Sequence, residues 1–71
     1  MFKYTIVIEK AVGNYSAYCP DLAGCVATGA SVEETAERIK EAIEFHIEGL
    51  KAEGLDLPPP ATTAALVEVA L

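Results

Sequence analysis

Residues 2–9 alternate in side-chain character: Phe2, Tyr4, Ile6 and Ile8 fall on one side, and Lys3, Thr5, Val7 and Glu9 on the other. A period of two with β-branched and aromatic residues predicts a strand with one buried face. Gly13-Asn14 supplies turn residues, so residues 15–19 read as a second, antiparallel strand. Pro20 cannot donate to a ladder and ends it. Asp21 suits a turn, Gly24 lets the chain reverse, and residues 25–28 form a short third strand closed by Gly29. The period then changes. Ser31 followed by Glu34 is a capping box, and Val32, Ala36, Ile39, Ile43, Ile47 and Leu50 share one sector of a helix at about 100° per residue. The helix is expected to end near Ala52 or Glu53, with Gly54 in the left-handed position and Leu55 as its apolar follower. Residues 58–60, three prolines, form a stiff linker, and the apolar run 65–71 reads as a last strand, buried in its own sheet or against another copy.

These elements give an α+β fold, β-β-β-α-β: one mostly antiparallel four-stranded sheet with a helix on one face. A meander, a crossing helix and a return strand predict the order 3-2-1-4, with strand four parallel to strand one. Strand four would be an edge, open to pairing with a second copy. The 71 residues make a single domain, and one core of this size supplies only about 3–5 kcal/mol. With 52% hydrophobic residues, a homodimer or higher oligomer is expected.

Five Lys/Arg against eleven Asp/Glu give a net charge of −6. Such a field repels phosphate backbones and attracts basic partners, so no direct nucleic-acid binding is expected. No charged-then-apolar leader and no membrane-length apolar run is present, which predicts a cytoplasmic protein with reduced Cys19 and Cys25.

The candidates for chemistry are few. Cys19 and Cys25 flank a turn and read as small buried hydrophobes, with a transient disulfide as the alternative. His46, the single histidine, sits at the margin of the helix's apolar sector beside Ile43 and Ile47. No carboxylate set converges as a metal-dependent nuclease requires, and no glycine-rich phosphate loop occurs. Neither enzymatic activity nor a cofactor is expected. Glu34, Glu37, Glu41, Glu44 and Glu48 instead gather on the helix face opposite the core, beside Phe45. They are either a solvated face or an acidic docking stripe for a basic protein, with Phe45 as its apolar anchor.

The run Tyr15-Ser16-Ala17-Tyr18-Cys19-Pro20-Asp21-Leu22-Ala23-Gly24-Cys25, with Thr28-Gly29, Ser31-Val32-Glu33-Glu34 and the stretch 54–60, resembles the HicB-like antitoxin family of toxin–antitoxin systems. The resemblance covers about residues 2–60. It implies a degraded ribonuclease H-like core without the catalytic carboxylates, and steric neutralisation of a small basic HicA-type RNA-cleaving toxin. The chain departs from the family at Ala23, where many members have a second proline. It also resembles a short form lacking the C-terminal DNA-binding segment of many relatives. The alternative is a stand-alone oligomeric interaction domain with no toxin partner.

Overall fold

The computed structural model describes residues 2–71. Its first two strands, β1 (Val7–Ala11) and β2 (Asn14–Tyr18), pair antiparallel with Ala11 opposite Asn14. Val12 and Gly13 are therefore the loop, one residue earlier than the expected Gly13-Asn14. Gly13 alone takes a positive φ, 83°, the pattern of a type II turn. A third strand, β3 (Val26–Gly29), pairs antiparallel with β2, giving the order β1-β2-β3. The register places Ile8, Ala17 and Ala27 in one cross-strand row, which packs in the core. Val7, Tyr18 and Val26 form the adjacent row, which alternation turns to the opposite face.

The first strand is shorter than residues 2–9. Its ladder begins at Val7 because Tyr18, its partner there, is the last residue of β2 before the chain enters the Pro20 turn. The alternation still holds. Tyr4, Ile6 and Ile8 pack against the core, and Phe2 meets Tyr4 edge-to-face with ring centroids 5.9 Å apart.

Residues 19–25 form a tight loop held by its own backbone. The Leu22 N–H donates to the Cys19 carbonyl, the Cys25 N–H to the Leu22 carbonyl, and the Cys19 N–H to the Cys25 carbonyl, at 3.2–3.3 Å. This geometry drives Leu22 inward until it is 1% exposed, and both cysteines are buried as free thiols. The core is Ala17, Cys19, Leu22, Cys25 and Ile39. The loop supplies three of these five.

The helix, α1 (Val32–Ala52), has the expected boundaries. Ser31 Oγ accepts from the Glu34 N–H at 3.1 Å. Glu34 reaches back one residue past the cap, its Oε1 accepting from the Ala30 N–H at 3.0 Å. At the other end the Gly54 N–H donates to the Lys51 carbonyl and the Leu55 N–H to the Leu50 carbonyl, with Gly54 at φ 71°. This is a Schellman motif, which satisfies carbonyls that the helix leaves open. Ile39 and Thr35 are fully buried.

The fourth strand is a correction. Residues 65–71 belong to no ladder, and Leu66, Val67, Val69 and Leu71 are 70–116% exposed rather than buried. The described sheet has three strands, not four in the order 3-2-1-4. The cause lies in the preceding segment. Tyr4 hydroxyl donates to the Pro58 carbonyl, and Thr5 Oγ1 donates to the Thr62 carbonyl at 2.8 Å. Asp21 Oδ2 accepts from the Ala61 and Thr62 N–H groups at 3.1 Å, and its Oδ1 accepts from Thr62 Oγ1 at 2.9 Å. These bonds tie residues 58–62 to the end of the sheet where β1 begins and β2 has ended. From there the chain leaves the body. The radius of gyration is 13.9 Å, against about 11 Å for a compact chain of this length.

Candidate functional site

Each acidic residue singled out from the sequence lies on the exposed side of α1. At about 100° per residue, Glu34, Glu37, Glu41, Glu44 and Glu48 fall within a sector of roughly 80°. They form a line because their spacings of three and four match the helical repeat. Glu34 differs from the rest. Its Oε1 also pairs with Arg38 at 3.3 Å, and Arg38 in turn donates to the Thr28 carbonyl at 3.1 Å. Glu34 therefore ties the start of α1 to β3 as well as contributing charge.

Phe45 stands at one margin of this line and is 77% exposed. It borders a cleft of about 420 Å³ between α1 and the β3 end of the sheet, lined also by Val26, Ala42, His46 and Leu50. Val26 is 67% exposed. The site thus combines a carboxylate row with an apolar notch flanked by Phe45 and Val26. Val26 was not legible as a site residue, because only the β2–β3 register turns it outward. His46 lines the same notch.

The cysteines lie apart from the acidic row, inside the core. Desolvation raises the Cys25 thiol above its ordinary value, and the nearby Cys19 adds to this. A buried, protonated thiol is a poor nucleophile. Among the described residues no group of three His, Cys, Asp or Glu side chains is placed to hold a metal ion. No described helix is long and apolar enough to cross a membrane.

Asp21 is the polar residue whose role the sequence concealed. The Thr62 backbone N–H, chiefly, holds its carboxyl below the ordinary carboxylate value, against partial desolvation. The Ala61 N–H and the Thr62 hydroxyl act in the same direction. Its partners lie 40 and 41 residues away, beyond any local pattern.

Residues 4–70 match the family described as HicB-like antitoxin of bacterial toxin–antitoxin system. A UPF0150 protein of Synechocystis is 44% identical over 59 residues, covering 82% of this chain and 75% of its own. A UPF0150 protein of Helicobacter pylori is 49% identical over 49 residues, covering 69% and 68%. An uncharacterised 14.9 kDa protein of Haemophilus phage HP1 is 42% identical over 55 residues, but this chain spans only 41% of its length. Among solved structures, a chain of a HicA3 and HicB3 toxin–antitoxin complex superposes with a TM-score of 0.69 at 38% identity, covering 83% of this chain and 70% of that one. With nearly its whole length matched, the chain belongs to the HicB-like antitoxin family of bacterial toxin–antitoxin systems.

Proposed function

We propose that this protein binds a small basic HicA-type toxin through the outer face of α1 and neutralises it by covering its catalytic surface. The observation that carries this is the carboxylate row Glu37, Glu41, Glu44 and Glu48 running beside the exposed Phe45 and its notch, on a chain of antitoxin family. The row would orient a basic partner and speed encounter. Phe45 would supply the desolvated anchor that slows dissociation. Glu34 belongs to the same face, with its charge shared with Arg38. The order of three strands followed by a helix is compatible with a reduced ribonuclease H-like core. In this role the fold presents a surface and carries out no reaction.

The test is co-expression with a small basic toxin encoded beside this gene. The expected result is a stable complex and restored growth. Phe45→Ala should leave the fold intact, since the ring is exposed, and weaken the complex by about 2 kcal/mol or more, the scale of an interface hot spot. Replacing Glu37, Glu41, Glu44 and Glu48 by Lys should abolish copurification. The control pair Glu9→Lys and Glu68→Lys, off the helix, should not. An unchanged complex in the Phe45 and helix variants would place the toxin elsewhere.

A further inference from the structure

The protein exposes 5576 Å², about 1,300 Å² more than a compact monomer of its 7.5 kDa mass. Much of that excess is the run 65–71. In extended form it presents Ala65, Val67, Val69 and Leu71 on one side, and Leu66, Glu68 and Ala70 on the other. One face is wholly apolar, the pattern of a strand over a core. Among the described residues nothing covers it.

A matching vacancy lies on the body. The outer edge of β1 carries no strand among the described residues. On that flank a second cleft, of about 500 Å³, opens between α1 and the start of the chain. Its walls include Phe2, Tyr4, Ile6, Ala36 and Ile43, with Lys40 and Glu44 at the helix side. A strand laid along β1 would turn one face toward these apolar walls.

We propose that two copies of this chain exchange their 65–71 segments, each adding a fourth strand to the β1 edge of the other and closing that copy's open cleft. The bonds from Tyr4, Thr5 and Asp21 to residues 58–62 act as the hinge, fixing where the segment leaves one body. A second copy suits the segment better than a basic protein does, because residues 62–71 carry a single charge, that of Glu68. The excess area also meets the roughly 800 Å² per partner of a standard interface. A reciprocal exchange uses the same two patches twice, as a two-fold dimer does. This interface uses the β1 flank of α1, whereas the proposed toxin site is anchored by Phe45 on the β3 flank. Glu44 borders both, so the changes at Val67 and Val69 and the change at Phe45 are the ones that tell the two proposals apart.

Sedimentation of the full chain without toxin tests the exchange. The expected species is a dimer, and a monomer at all concentrations overturns the proposal. Val67→Glu with Val69→Glu should raise the dimer dissociation constant about a hundredfold or more, the scale of two lost apolar side chains. Both residues are exposed in the protomer, so its helix content should not change. A dimer that survives the double variant overturns the exchange, as does a variant that stays dimeric while losing the toxin. Hydrogen exchange on the unaltered chain provides a second measurement. Amides of residues 66–71 should gain protection as the dimer forms, and fast exchange in the dimer counts against the proposal.

Discussion

Gly29 shows how closely the chain is packed where β3 hands over to α1. A Cβ there would lie 2.6 Å from Thr35 Oγ1 and 2.9 Å from the Thr35 backbone nitrogen. Thr35 cannot retreat easily. It is fully buried, and its hydroxyl donates to the Ser31 carbonyl at 2.7 Å. Gly29→Ala is therefore expected to push the helix start off the sheet and cost about 1–3 kcal/mol, the usual range for overpacking. A lower urea midpoint at unchanged slope would show it, and an unchanged midpoint would refute it. Asp21 sets a second expectation, in acid. Its folded pKa lies below the unfolded value of 3.8, so its bonds to Ala61 and Thr62 are fully available above that value. They are lost as pH falls through the lowered folded value. The Thr62 amide resonance should titrate with a midpoint below 3.8. A midpoint at or above the ordinary value would mean that the contact is absent in solution. Neither feature shows in the sequence alone, because Gly29 reads as a strand end and Asp21 as a turn residue until distant parts meet.

At the scale of elements, legibility followed locality. Both helix ends were readable because a capping box and a left-handed glycine act within a few residues. The 19–25 loop was readable as a turn from Pro20 and Gly24, though its contribution of Leu22 to the core was not. Strand ends were less legible, since β1 can extend only as far as β2 offers a partner. The segment 65–71 has the composition of a strand, but composition cannot say which chain supplies its ladder. The acidic face of α1 carries its own tension. Glu37 and Glu41 are like charges one turn apart, as are Glu44 and Glu48, each pair opposing the helix by about 0.2–0.5 kcal/mol. Glu41→Lys turns one repulsion into an attraction. It should raise thermal stability slightly while weakening the toxin complex. Opposite signs in the two measurements would mark the row as a binding surface, whereas a gain in stability with no loss of binding would make it an ordinary solvated face.

Over the whole molecule, the charge of −6 acts at longer range than any single contact. Of the five basic residues only Arg38, Lys40 and Lys51 lie on α1 beside the five glutamates of the row, and of these Arg38 is already engaged with Glu34 and the Thr28 carbonyl. The sign of the field was legible from composition, whereas the notch beside Phe45 needed the sheet to turn Val26 outward. The two halves of the proposed site should therefore separate in kinetics. Charges at the exposed rim steer encounter and are screened beyond about 8–10 Å at physiological salt. An apolar anchor such as Phe45 governs departure and is nearly indifferent to salt. Raising the ionic strength should slow association with a basic toxin while leaving dissociation almost unchanged. Phe45→Ala should do the reverse, speeding dissociation at every salt concentration. If salt altered only the dissociation rate, the carboxylates would be buried in the complex rather than steering from its rim. If neither rate responded to salt, the acidic face would have no part in recognition, and the toxin would have to dock on a surface away from the carboxylate row.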